Sequence, residues 1–237
     1  MNFLSAKKLV IAIDGPAASG KSTTARLVAG KLGYLHVDTG AMYRAVTAKV
    51  LRSGIALDDA EKIHSLLRTT RIELQSSGVA VKVLLDGVDV TEQMRTPEVT
   101  RSVSAVSRLR QVREVMVREQ RKMGRQGGIV LEGRDIGTVV FPNADLKIFM
   151  VADIESRARR RQRESGQTES GLGLDLLKNE IAERDRLDST RDESPLKKAE
   201  DAIVLDTSAL TIDEQVDFVV AKARDILAQQ EKSENNN

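Results

Sequence analysis

The chain has 237 residues, 41% of them hydrophobic and 30% charged, with a formal net charge of +2 at pH 7. These proportions fit a globular protein with its own core, exclude a fibrous or wholly disordered chain, and allow one domain with insertions. There is no cysteine, so a disulfide framework, a thiolate metal site and a cysteine nucleophile are all excluded.

In "MNFLSAKKLVIAID" the lysines lie inside rather than ahead of the apolar stretch, and no small-residue cleavage site follows. The segment reads as a strand of a cytoplasmic protein, and no run approaches the roughly 20 apolar residues that cross a bilayer, so no membrane partner is expected. Arginine is concentrated in "SRLRQVREVMVREQRKMGR" and "SRARRRQRE". A solvated helix face is the ordinary reading of such runs.

Along the chain, "KLVIAID" has the short, β-branched, almost wholly apolar character of a strand covered on both faces. "KSTTARLVAGKLG" reads as a helix closed by Gly33, "YLHVDTG" as a second strand and "AMYRAVTAKVLRSG" as a second helix, the rhythm of a parallel α/β sheet. Between Arg71 and Val90 the rhythm changes: three short strand-like pieces joined by "SSG" and "DG" predict a small antiparallel insertion. "PEVTRSVSAVSRLRQVREVMVREQRKMGRQGG" predicts one or two amphipathic helices, broken near Ser107 to Arg110. Alternation resumes with the strands "GIVLEG" and "DLKIFMVA", the helix "DIESRARRRQRESG", the glycine-containing "SGQTESGLG" and the helix "LDLLKNEIAERDRLDS". A fifth core strand, "DAIVLDTS", and the helix "IDEQVDFVVAKARDILAQQ" follow, and residues 231–237, without an apolar anchor, are expected to be disordered.

"GPAASGKST", Gly15 to Thr23, has the phosphate-loop spacing G-x-x-x-x-G-K-S/T, placed between a buried-type strand and a helix as that loop requires. Glycines let backbone N–H groups close around phosphate oxygens, and the helix adds its positive end. Gly15, Pro16, Ala17, Ala18, Ser19, Gly20, Lys21, Ser22 and Thr23 are therefore candidates for binding the phosphates of a nucleoside triphosphate. Lys21 is expected to reach the β- and γ-phosphates and Ser22 to help hold Mg²⁺. No "NKxD"-like segment for reading a guanine base is present. Glu132, next to last in "GIVLEG", either orients metal-bound water or caps the next segment. His36 and His64, the only histidines, are in no metal-ligand spacing and are assigned to packing or surface.

"VDTGAMYR", "MRTPEV", "VRE" at Val112 to Glu114, "EGRDIGTVVFPNADLKIFM" and "ERDRLDSTRDESPL", in the same order as the phosphate loop, resemble the bacterial cytidylate kinases from about Val10 to Ala228. The resemblance implies the P-loop nucleoside-monophosphate kinase fold: a five-stranded parallel sheet in order 2-3-1-4-5 flanked by helices, a small antiparallel insertion and a helical lid. It divides the chain into a core (1–40, 128–152 and 200–230), a monophosphate-binding region (41–127, with the insertion at about 71–90) and a lid with its adjoining helix (153–199). The implied reaction moves the γ-phosphoryl group of ATP, with Mg²⁺, to CMP or dCMP, and a monomer is expected.

By the same resemblance, Thr39, Tyr43 and Arg44 contact the monophosphate, although the family more often has "DSG" where this chain has "DTG". Thr39 keeps the hydroxyl, and simple helix packing is the other reading of Tyr43. Arg134 holds the acceptor phosphate through its planar fork. Asp135, Ser104 and Arg113 read the cytosine edge, which offers an amino donor and two acceptors; a shift of register would substitute a neighbouring serine for Ser104. Arg184 and Asp188 contact the ribose, and Arg191 lies near sugar and phosphate. Lys21, Arg134, Arg191 and the lid arginines Arg157 and Arg161 are expected to supply the positive field for transfer between two polyanions. The lid is expected to close over ATP on a hinge in "RESGQTESGLG". "VLDTSALT" resembles a segment on the adenine side. A kinase for UMP, AMP or shikimate is the alternative enzyme, and a nucleotide-gated nucleic-acid-binding protein using "RARRRQR" the alternative of another class. The latter is disfavoured by only two tyrosines, four phenylalanines and no tryptophan for stacking bases.

Overall fold

β1 (Val10–Asp14) runs through the middle of the main sheet, and its residues alternate between two cores, as a strand covered on both faces must. Ala12 packs with one cluster, while Ile11 and Ile13 pack with the other. The structure, a computed structural model, describes residues 8–77, 80–165 and 171–234. Among these residues, no helix is long and apolar enough to cross a membrane.

The main sheet also contains β2 (Leu35–Asp38), β6 (Ile129–Gly133), β7 (Leu146–Val151) and β8 (Ile203–Asp206). Its order is β2-β6-β1-β7-β8, with every pairing parallel. Counted along the core strands this is 2-3-1-4-5, as expected. α1 (Lys21–Leu32) and α8 (Ile212–Glu234) cover one face through Ala25, Val28, Val216 and Val219. α2 (Thr39–Arg52) and α5 (Arg110–Met123) cover the other through Met42, Val46, Val112 and Met116.

The antiparallel insertion is a sheet of β3 (Ile72–Ser77), β4 (Ala80–Leu85) and β5 (Val88–Asp89). Its "DG" turn has positive φ at both Asp86 (53°) and Gly87 (81°), the left-handed backbone that a two-residue hairpin turn requires. The "SSG" turn lies partly outside the described residues. α4 (Pro97–Ser107) begins with Pro97 behind its cap Thr96, and the predicted break before α5 falls at Arg108 and at Leu109, whose backbone is extended.

Two elements had no counterpart in the reading of the sequence, and the end of a third departs from it. α3 (Ala60–Arg68) was not anticipated: Asp59 caps it by accepting from the Lys62 N–H at 3.1 Å, and Ile63 and Leu67, one turn apart, are buried. Ile136–Val140 forms a single π-helical turn, although "IGTVV" has strand-like composition, because Asp14 collects the N–H groups of Ile136 (2.8 Å) and Gly137 (2.7 Å). α8 continues through Glu234, so residues 231–234, expected to be disordered, are helical; the final three residues lie outside the described residues.

α6 (Ile154–Ser165) and α7 (Gly171–Thr190) follow β7 and pack on each other. The proposed hinge falls largely on residues 166–170, outside the described residues. Register brings the carboxyl ends of β1, β6 and β2 level, with Asp14 opposite Gly133 and Asp38 opposite Glu132. All three strands therefore deliver their following loops to one edge of the sheet, where open α/β sheets bind ligands.

Candidate active site

At that edge opens a cleft of about 530 Å³. Its floor on one side is the loop after β1. A Cβ on Gly15, at φ +150°, would lie 2.1 Å from the Met150 carbonyl oxygen, so only glycine lets the chain turn against β7 here. Lys21 folds back over the loop, its Nζ donating to the Pro16 carbonyl at 2.6 Å and to Ser19 Oγ at 3.3 Å. Burial, reinforced by the charge of Arg134, pulls the Lys21 pKa down to about 7. Ala17 to Thr23 line the cleft, while Gly15 and Pro16, expected to bind ATP with them, are not among its lining residues.

Glu132, at the end of β6, is buried and tied at three points. Ser22 Oγ donates to Oε2 at 2.6 Å, Thr39 Oγ1 donates to its main-chain carbonyl at 2.7 Å, and His36 Nε2 lies 3.1 Å from Oε1. His36, assigned to packing or surface, is almost fully buried and in addition makes this contact. It arises because His36 and Glu132 lie on adjacent parallel strands, two positions out of direct register and on the same face. Among the described residues, no group of three or more histidine and acidic side chains could hold a metal by itself. The Ser22 hydroxyl and Glu132 carboxylate are the hard oxygen donors suited to a Mg²⁺ ion whose remaining partners are phosphate and water.

The opposite wall is polar and densely charged. Thr39 opens α2 behind its cap Asp38, which accepts from the Ala41 N–H at 2.8 Å and also from Arg44 at 3.0 Å. Tyr43 is buried one turn along, with its hydroxyl unpartnered and the Arg113 guanidinium 5.5 Å from its ring centre. Burial, with Asp135 adding to it, pushes the Tyr43 phenol up to about 12. Arg113 donates to the Asp135 carboxylate and, at 3.3 Å, to the Ser107 carbonyl. Burial opposes the Arg113 charge, yet Tyr43 and Asp135 more than offset it and raise its pKa. Ser104 and Ser107, one turn apart on α4, both line the cleft, so the neighbouring serine is also in place.

Arg134 leaves the end of β6 and donates to Asp188 Oδ2 at 2.8 Å. Arg184 and Asp188 stand one turn apart on α7, and Arg191 follows its end. Arg191 approaches both Asp135 (3.8 Å) and Asp188 (3.9 Å). Burial works to raise the Asp188 pKa, but Arg134, Arg184 and Arg191 together bring it below the usual carboxylate range. Burial and repulsion from Arg134 lower Arg184 to about 10, and its Nε is buried without a partner. Such a crowd of buried cations is costly in an empty cleft and suits a polyanionic occupant.

The two lid arginines part company. Arg161 lines the cleft. Arg157, expected beside it, is buried against the back of the phosphate loop, bound to the Ala17 carbonyl at 3.2 Å and to Asp185, which itself accepts from the Ala17 N–H at 3.1 Å. The reason is helical spacing: four residues carry Arg161 one turn beyond Arg157, and α7 presents Asp185 to the nearer arginine. Arg160, also in the basic run, reaches Thr207 at 3.0 Å, and Thr207 donates to the Ser19 carbonyl at 3.0 Å. "VLDTSALT" thus closes on the phosphate loop through one threonine. Asp14, Asp185, His36 and Arg101, the last on the cleft wall, were not singled out as functional in the sequence.

The sequence model of the cytidylate kinase family matches residues 11–225. A cytidylate kinase of Bacillus pumilus is 53% identical over 208 residues, covering 88% of this chain and 92% of that protein. One of Bacillus subtilis is 50% identical over 214 residues, covering 90% and 96% respectively.

Proposed function

The chain belongs to the cytidylate kinase family, and from that premise we propose how its cleft divides the work of moving a phosphoryl group from ATP to CMP or dCMP. An oxygen of the acceptor monophosphate attacks the γ-phosphorus; the new P–O bond forms as the bond to the bridging oxygen breaks, giving CDP or dCDP and ADP. The attacking oxygen is already anionic, so no strong general base is needed, and the burden falls on alignment and charge.

The donor is held by the backbone of residues 15–23 and by Lys21, whose charge is restored when the triphosphate enters. Ser22 and Glu132 are the residues that would hold Mg²⁺, which screens the β- and γ-phosphates when bound. Arg134, Arg161 and Arg191 line the path of the transferred group. Arg157 acts from behind, fixing α6 to the phosphate loop. Thr39, Tyr43 and Arg44 take the acceptor phosphate and its nucleoside, and Arg184 and Asp188 take the sugar.

The observation that carries the acceptor assignment is the buried Arg113–Asp135 pair beside Tyr43 and Ser104, on the same cleft as the phosphate loop. A carboxylate acceptor next to a guanidinium donor complements the cytosine amino group and its adjoining acceptors, whereas uracil presents a carbonyl where cytosine has the amino group. Coupled turnover with ATP and Mg²⁺ across CMP, dCMP, UMP and AMP tests the reading: CMP and dCMP are expected to lead, and diphosphate formation from AMP or UMP at equal kcat/KM overturns the base assignment.

A further inference from the structure

The His36 ring has one polar tie among the described residues. Its Nε2 lies 3.1 Å from Glu132 Oε1, and its Nδ1 is buried without a hydrogen-bond partner. The two side chains are only 10% and 4% exposed. On the other side of the carboxylate, Ser22 Oγ donates to Oε2 at 2.6 Å. Both oxygens are therefore held, one from β2 and one from the first turn of α1, and the carboxylate is spanned between them. Donating its proton to Glu132 leaves the Ser22 oxygen with its lone pairs free for a cation.

We propose that His36 is a positioning residue for the metal end of the donor site: its ring N–H fixes the Glu132 carboxylate, which in turn orients the Ser22 hydroxyl for the Mg²⁺ that arrives with the nucleotide. The inference rests on the assignment of Ser22 and Glu132 to Mg²⁺. Without the ring N–H, Oε1 is a buried acceptor with no donor, and the carboxylate turns away to find one. Groups that hold a metal-site carboxylate from behind affect metal affinity nearly as much as the donors themselves.

The test uses the full chain and calorimetric binding of the non-hydrolysable analogue AMP-PNP, measured once with Mg²⁺ and once with EDTA. His36→Leu is expected to weaken the Mg²⁺-dependent binding roughly ten-fold and to leave binding in EDTA within about two-fold. The Mg²⁺ concentration for half-maximal turnover rises in step, with KM for CMP unchanged. His36→Gln, which keeps an N–H at a similar reach, restores most of the loss. If His36→Leu does not fold, His36→Asn, whose amide is too short to reach Oε1, replaces it with the same expectations. A parallel loss in EDTA, a matching rise in KM for CMP, or no rescue by glutamine means that the ring only packs, and overturns the proposal. Glu132→Gln separates the two levels. If it leaves the Mg²⁺ increment intact, the metal assignment itself fails. If it abolishes the increment while His36→Leu does not, only the role of His36 fails.

Discussion

Arg113 and Asp135, 22 residues apart, form a buried pair in which guanidinium and carboxylate are 4% and 6% exposed. α5 and the loop after β6 thus meet inside the cleft through two charges that solvent barely reaches. Removing one partner of such a pair typically costs about 3–5 kcal/mol because the other is left buried and uncompensated. Asp135→Ala is therefore expected to lower stability substantially in urea unfolding. Asp135→Asn should fold better and lose selectivity instead, the ratio of kcat/KM for CMP over UMP falling by about ten-fold or more, since one well-made base contact is worth ~1–3 kcal/mol.

Lys21 gives a prediction in protons. With burial and Arg134 holding its pKa near 7, the side chain is largely neutral at pH 8 in the free protein. A triphosphate beside it returns the pKa toward the ordinary lysine value, so binding at pH 8 takes up a proton. Calorimetry of ATP binding in buffers of different ionisation enthalpy measures that uptake directly. It is expected to approach one proton in the wild type and to shrink at pH 6, where the lysine is already charged. Lys21→Met removes it.

Arg157 and Arg161 separate stability from transfer. Arg157→Met breaks the ties to Asp185 and Ala17, and the melting temperature should fall by several degrees, given that each kcal/mol is worth about 2–4 °C at this chain length. Arg161→Met, at an exposed position on the cleft, should leave the melting temperature almost unchanged and reduce kcat. Thermal unfolding and steady-state kinetics on the two variants decide it; a reversed pattern means that Arg157 swings into the cleft with nucleotide.

Asp14 predicts a dependence on pH. Desolvation raises its carboxyl to about 6, above the ordinary 3.8, despite two N–H donors that pull the other way. The folded state therefore binds the proton more tightly than the unfolded chain. The associated stability is fully present below pH 3.8 and is lost as pH rises through about 6. The difference in unfolding free energy between wild type and Asp14→Asn is expected to shift toward the wild type by roughly 2 kcal/mol from pH 7 to pH 4. A difference that stays flat across that range would show that the carboxyl keeps an ordinary pKa.

Much of this architecture is local and therefore legible before folding. Gly15, Gly20, Lys21 and Ser22 have the phosphate-loop spacing, and the apolar run just ahead of them declares the central strand. Arg184 and Asp188 share one helix face by their separation of four. What escaped the sequence depends on which distant segment lies alongside. His36 gains its partner only because β2 pairs with β6, and Asp185 only because α7 crosses behind the phosphate loop. The π turn at Ile136 has the composition of a strand until Asp14, 122 residues earlier, captures its amide. α3 was within reach of the sequence, with an aspartate cap and with Ile63 and Leu67 one turn apart on the face that packs on the core.

The contact of Gly15 with Met150 has a consequence for how quickly donors can be accepted. Because the first residue of the loop lies against the carbonyl of the neighbouring central strand, the backbone amides proposed to face phosphate are anchored to the sheet. Their ordering is settled once, as the polypeptide folds, and need not be repeated at each encounter with a nucleotide. On the proposed assignment of residues 15–23 to the donor, its phosphates would dock against amides already in place.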